Sequence, residues 1–357
     1  MTRGSRGFGR RGLARLLGAG ACAAACSKGQ ATLALYNWGD YLAPEVLTRF
    51  TAATGARATQ DYYLAEAELV AKLKAGAAYD VVFPIDYLIS RMHKQGLLRA
   101  LDRAALPGLS NLDPQLPAWE KDGQVYAVPY LWGTTGIGYD SEKVEGPTSW
   151  KALFDPRYAG RISVIDSKGD VFDQALLAAG MDINSTDKPA IRETVYPMLA
   201  AQKQLLRAYD ANPARALVAG ETWIAQIDSG DLLRAQKQRP SLKYVIPAEG
   251  AVLWADYVAV PKAARVPELA LRFVEFLLDP EIAAINANDL RYATPNRAAI
   301  ERGLVEGTGD PALYPPPAVR AATRNGWSGS YSSPRPRPKA TARSKRKPST
   351  WHSVTQY

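Results

Sequence analysis

The sequence predicts an α/β protein of two lobes joined by a hinge around a ligand cleft. Three observations carry this. The chain has 357 residues, a length that suits two domains better than one. Residues 32–83 read as a strand–helix–strand–helix–strand run, which implies a parallel sheet with helices on its faces. After Gly138 a second series of short apolar strands and amphipathic helices begins. Lobes of this kind hold a ligand at the carboxyl ends of their strands, in the cleft between them.

Each element has its own signal. Residues 32–36 form a short apolar strand. Pro44 suits the first position of a helix, Val46, Leu47 and Phe50 share its inner face, and Gly55 ends it. Residues 56–62 read as a second strand, Leu69, Val70 and Leu73 mark a second helix, and residues 79–83 form a third strand stopped by Pro84. In the second region, residues 161–165 are a strand, 171–179 a helix and 191–208 a long amphipathic helix. Residues 223–227 and 244–246 are further strands, and 267–278 is a helix with Leu269, Leu271, Phe273, Val274 and Phe276. No internal repeat is visible.

Composition narrows the function. Hydrophobic residues make up 47% and charged residues 22%, ordinary for a globular protein and unlike a disordered or multi-span membrane chain. The net charge of +9 is carried by the ends. Residues 1–27 hold five Arg and no acid, residues 334–357 hold seven Lys or Arg and no acid, and without those twelve charges the body is at −3. A nucleic-acid reading therefore has no support in the body, and none is expected as a partner.

The first 27 residues read as an export signal. Arg3, Arg6, Arg10, Arg11 and Arg15 precede an Ala- and Leu-rich run from Leu13 to Ala25 that is too short to span a bilayer. Ala19-Gly20-Ala21-Cys22 and Ala23-Ala24-Ala25-Cys26 both resemble the lipobox of bacterial lipoproteins. Cys26 is the preferred acylation site, since the polar Ser27-Lys28-Gly29-Gln30 follows it; Cys22, or plain cleavage without lipidation, are the alternatives. Residues 332–357 alternate Pro with Arg and Lys and lack apolar periodicity, as expected of a solvated tail.

Enzyme motifs are missing. The Gly-rich stretch Gly133-Thr134-Thr135-Gly136-Ile137-Gly138 lacks the Lys and strand-to-helix context of a phosphate loop, and no G-x-S-x-G occurs. The two histidines, His93 on a helix surface and His352 in the tail, and the two cysteines leave no Cys/His metal site and no triad. No catalytic residue, cofactor or metal is expected.

Acids and aromatics instead gather where predicted strands end. Asn37-Trp38-Gly39-Asp40-Tyr41 follows the first strand and Asp86-Tyr87 the third. Asp166, Ser167 and Asp170 follow the strand at 161–165, and Asp228 and Asp231 the strand at 223–227. Trp254-Ala255-Asp256 lies in an apolar strand pair, and Tyr292 precedes Thr294-Pro295-Asn296. Strand alternation sends Trp254 and Asp256 to one side. Aromatic faces beside carboxylates suit an organic ammonium, through cation–π attraction and charge-assisted hydrogen bonds.

At these residues the chain resembles the bacterial spermidine/putrescine-binding proteins of ABC importers. The resemblance runs from about Leu33 to about Trp327. It is carried by Leu35-Tyr36-Asn37-Trp38-Gly39-Asp40-Tyr41, Ser110-Asn111-Leu112-Asp113-Pro114, residues 128–139, Glu249-Gly250-Ala251-Val252-Leu253-Trp254-Ala255-Asp256 and Tyr292-Ala293-Thr294-Pro295-Asn296. It implies the type II periplasmic-binding-protein fold, with one lobe from 28–137 plus 255–331 and the other from 138–254. It also implies a ligand set: Trp38 and Tyr41 along the alkyl chain, Asp40 near an amine, Asp86 and Tyr87 from the next loop, and Ser167 and Asp170 from the second lobe. Asp228 and Asp231 follow, then Trp254 stacking, Asp256 anchoring an amine and Tyr292 closing the site.

The chain departs from the family at Ile85, where Ser is common, at Ser167, which replaces an acid, and at Asp228, which replaces an aromatic. So many carboxylates cannot all stay ionised cheaply. Either one points away, with Asp228 the first candidate, or a ligand with three or more amines is preferred. The resemblance implies a monomeric periplasmic protein that delivers a polyamine to the membrane permease subunits of the importer, touching the membrane only through a lipid anchor. The alternatives are another small cationic ligand in the same fold, or an envelope protein acting through its basic tail.

Overall fold

The computed structural model describes residues 30–316. The export segment with Cys22 and Cys26, Trp327 and the basic tail from 332 lie outside the described residues.

The first alternating run forms as expected. Strand β1 (Thr32–Trp38), helix α1 (Pro44–Thr54), β2 (Arg57–Tyr63), α2 (Glu66–Lys74), β3 (Val81–Val82) and α3 (Asp86–Lys94) succeed one another. Proline opens α1, and Gly55 closes it with a left-handed φ of 72°. Two antiparallel strands follow, β4 (Trp119–Lys121) and the long β5 (Gln124–Asp140). The second α/β region is β6 (Ile162–Ile165), α4 (Lys168–Ala178), α5 (Lys188–Lys203), β7 (Leu206–Asp210), α6 (Pro213–Val218), β8 (Ile224–Asp228), α7 (Ser229–Gln236) and β9 (Leu242–Val245). Strand β10 (Val252–Ala259) and helices α8 (Pro267–Leu277), α9 (Pro280–Leu290) and α10 (Arg297–Glu301) complete the described chain.

All ten strands join one sheet of order β2-β1-β3-β10-β5-β8-β6-β7, with β4 and β9 each paired to β5. β1 runs parallel to β2 and β3, and β6 parallel to β7 and β8. β5 links these two parallel groups: Ala127 to Thr135 pairs with β10, and Thr135 to Asp140 pairs with β8 or β9. The Gly-rich stretch lies within β5, so its glycines admit neighbours rather than cradle phosphate.

Apolar residues collect on both sides of the sheet. Leu33, Leu35, Phe50 and Phe83 pack with Phe273 and Val274 on one side, and Tyr36, Leu69, Val82 and Met92 pack with Ala255 and Tyr257 on the other. Farther along, Ile137, Trp150, Val164, Leu176 and Val195 form a third cluster, and Leu217, Ile227 and Leu232 a fourth.

Two expectations change. The helix expected over 191–208 ends at Lys203, and residues 206–210 become β7, the sheet's edge strand. The chain turns at Gln204 and Leu205, and parallel pairing with β6 decides the state of the half-exposed residues that follow. His93 is not a free surface group; its ring meets Tyr126 at 4.4 Å and Trp119 at 5.2 Å.

Candidate functional site

Trp38 ends β1, and the turn that follows carries Asp40 at φ 51°, a left-handed conformation that aspartate tolerates better than most residues. Asp40 is exposed while Tyr41 is buried. A buried network fixes this loop: Tyr130 donates its hydroxyl to the Tyr41 carbonyl (2.7 Å), and Asn286 donates to Tyr130 (2.7 Å) and accepts from the Ala43 N–H (2.9 Å). The Tyr41 ring then stands edge-on to Tyr130 and Tyr292, each at 5.6 Å.

The turn between β3 and α3 is tied to β10. Ile85 bridges Asp256, and the Tyr257 N–H donates to the Pro84 carbonyl (2.9 Å). This brings Asp86, the first residue of α3, and Tyr87 toward Asp256. Asp86 accepts from the Tyr87 N–H at 2.5 Å, and the half-exposed Tyr87 donates its hydroxyl to Glu66 Oε1 at 2.7 Å. Asp256 is only 6% exposed, and its Oδ1 has no hydrogen-bond partner. Burial pushes its carboxyl well above the usual range; the neighbouring Tyr41 hydroxyl, itself buried without a hydrogen bond of normal geometry, draws it back, and the charges of Asp86, Asp228 and Glu66 raise it further. A buried carboxyl oxygen left without a donor is costly, and the Trp38 indole N–H is also buried without a partner.

Trp254 lies two residues before Asp256 on β10, opposite Gly133 of β5. A Cβ at Gly133 would come within 2.7 Å of the indole, so only glycine lets the ring lie across β5. The Trp254 indole N–H donates to Asp228 Oδ1 at 3.1 Å, Thr135 donates to the same oxygen at 2.5 Å, and the indole meets the Tyr292 ring at 5.2 Å. Burial, then the charges of Asp231 and Asp170, push the Asp228 carboxyl up to about 8; the bonds from Thr135 and Trp254 oppose this.

Asp228, the first candidate to point away if one carboxylate does so, instead faces Trp254. It ends β8 directly opposite Thr135, and that register aims its carboxyl at the indole. Asp231, in the first turn of α7, is the carboxylate that is otherwise engaged: it pairs with Arg234 and accepts from the Tyr292 hydroxyl at 2.9 Å. Ser167 caps α4, its hydroxyl accepting from the Asp170 N–H at 3.5 Å, while buried Gln226 donates to the Asp170 carbonyl at 2.8 Å. Asp170 contributes its charge near Asp228.

The structure thus assembles two connected acidic groups. Asp86, Asp256 and Glu66 form one with Tyr41 and Tyr87; Asp170, Asp228 and Asp231 form the other with Trp254 and Tyr292. Asp40 stands exposed, and Trp38 packs on Tyr63 at 4.3 Å. Sequence reasoning missed Glu66, Thr135, Arg234 and Asn286. Glu66 and Arg234 look in sequence like ordinary first-turn and last-turn helix charges, and only tertiary packing brings them in. Among the described residues there is no group of three His, Cys, Asp or Glu placed to hold a metal, and no helix long and apolar enough to cross a membrane. Chemically, the arrangement favours a cation with an apolar stem: aromatic rings stand beside carboxyls whose proton affinity is raised by burial.

The chain is similar to known proteins in sequence and in fold. The family of bacterial extracellular solute-binding proteins matches residues 45–314. The spermidine/putrescine-binding periplasmic protein of Escherichia coli is 35% identical over 310 residues, which cover 84% of this chain and 89% of that protein. The putrescine/cadaverine-binding protein of Pseudomonas aeruginosa is 31% identical over 327 residues, covering 87% and 91%. A solved structure from Listeria monocytogenes, described as a putative spermidine/putrescine ABC transporter, superposes with a TM-score of 0.76 at 33% identity, covering 82% of this chain and 92% of that one. Its fold is thus that of the periplasmic binding proteins, and the chain belongs to the family of bacterial extracellular solute-binding proteins.

Proposed function

We propose that the protein captures a polyamine of the spermidine/putrescine class in the acidic–aromatic cleft and delivers it to the membrane subunits of an ABC importer. The observation that carries this reading is the Asp256 carboxyl, buried, unpartnered at Oδ1, and close to Tyr41 and the further carboxyls of Asp86, Asp228 and Glu66. An ammonium is the group that supplies both the missing donor and the missing positive charge. In this reading Asp256 and Asp228 anchor amines, Trp254, Trp38, Tyr41 and Tyr292 line the methylenes, and Asp86, Tyr87, Asp170 and Asp40 border the site, with Ser167 capping α4 behind it. The cleft binds and releases without chemistry. The names of the E. coli and P. aeruginosa relatives support the ligand class.

The lobes are taken as 28–137 with 255–331, and 138–254. The change in core membership near residues 137 and 252 supports this division. The site of action is the periplasm, with Cys26 or Cys22 as a lipid anchor and the protein acting as a monomer. Calorimetric titration of the purified chain with putrescine and spermidine, beside an uncharged diol of equal length, tests the reading. One amine bound per chain with no heat from the diol is expected; equal binding of the diol overturns it.

A further inference from the structure

Arg234 is a cation beside the acidic group of Asp170, Asp228 and Asp231. It lies on α7, three residues after Asp231, and its guanidinium is held from several sides. One nitrogen pairs with Asp231. Another donates to the carbonyl of Leu290 at the end of α9, where helix carbonyls lack intrahelical partners and attract positive charge. The guanidinium carbon lies 5.3 Å from the centre of the Tyr292 ring, and that residue's hydroxyl donates to the same Asp231 oxygen at 2.9 Å. Tyr292 in turn sits hard against α7, since a Cβ on Gly230 would fall 2.4 Å from the ring. Asp40 adds a negative charge nearby. The Arg234 side chain is 30% exposed, so solvent reaches it.

We infer that Arg234 is a resident cation that withdraws Asp231 from amine recognition and so limits the number of ammonium groups the cleft accepts. This rests on the polyamine reading of the same site. A diamine finds Asp256 and Asp228. A third ammonium directed past Asp228 meets a guanidinium instead of a carboxylate, a repulsive element of the kind that sets specificity. Internal pairing is thus a further way to relieve a crowd of carboxylates, and Asp231 is the residue paired.

The test is calorimetry of the full chain with putrescine, spermidine and spermine, with melting followed on each variant. The wild type should bind the diamine at least as tightly as the longer amines. Arg234→Gln should move the affinity ratio toward the triamine by about tenfold or more, the effect of one charge-assisted hydrogen bond. Arg234→Lys should keep the wild-type ratio, and adding Asp231→Asn to Arg234→Gln should cancel the shift. Should melting show Arg234→Gln unfolded, Arg234→Met preserves the packing of the stem and replaces it. An unchanged ratio, an equal loss for every amine, or a shift that survives Asp231→Asn overturns the inference while polyamine binding stands. A wild type that binds no amine overturns both.

Discussion

Replacing Asp256 by Asn keeps the shape of the side chain and removes its charge. The carboxyl is 6% exposed with a partnerless Oδ1, so its bond to a ligand ammonium is fully desolvated. Such a charged hydrogen bond is worth about 1.5–3 kcal/mol, which corresponds to an affinity loss of about 10- to 150-fold. Part of that gain is offset in the wild type, because burial raises the proton affinity of the empty carboxyl and binding of an ammonium favours its ionised form. The loss should therefore grow as pH rises. Ligand-free stability should hold or increase, since the substitution removes a buried acid that lacks a full set of partners. Calorimetry and ligand-free melting on the same samples measure both quantities. Wild-type affinity in the variant, or lowered melting with intact affinity, would mean that Asp256 is a structural residue and the reasoning is wrong.

Further outcomes follow from other parts of the site. Asp228, with its carboxyl raised to about 8, should release protons when an ammonium binds, so affinity should weaken as pH falls below about 8; titrations in buffers of different ionisation enthalpy detect the protons, and heats independent of buffer would refute this. The same shift means the empty native state binds more protons than the unfolded chain between about pH 4, the unfolded carboxyl value, and pH 8. Ligand-free stability should therefore fall as pH rises through that window, and Asp228→Asn should flatten the dependence seen by thermal melting. Gly133→Ala places a methyl 2.7 Å from the Trp254 ring and should displace it, weakening polyamine binding about tenfold or more with little change in far-UV circular dichroism. Trp150 is fully buried and donates to the Gly250 carbonyl at 2.7 Å; Trp150→Ala should cost about 3–5 kcal/mol in chemical denaturation, while the folded fraction keeps its ligand affinity.

The alternating run of residues 32–83 was legible because its signals are local: Pro44 and Gly55 bracket α1, and apolar periodicity marks α2. The gathering of acids and aromatics at strand ends was legible for the same reason, since a strand end is a sequence position as well as a place. β7 was not legible, because residues 206–210 carry a weak strand pattern and owe their state to pairing with β6. The direction of Asp228 was not legible, because it depends on the register between β8 and β5, which brings it opposite Thr135. Glu66 and Arg234 were invisible for a related reason. Each is ordinary on its own helix, and their partners Tyr87 and Leu290 lie 21 and 56 residues away. Local chemistry chose the kinds of residue in the cleft, while strand register and long-range contacts decided which carboxylates remain open.

The most direct test of the central claim is a structure of the purified protein with bound putrescine or spermidine. One ammonium should lie within hydrogen-bonding distance of Asp256, another should reach Asp228, and the methylenes between them should lie on the Trp254 ring, with Asp231 still paired to Arg234. A ligand bound outside this cleft, or inside it with Asp256 and Trp254 untouched, would contradict the account.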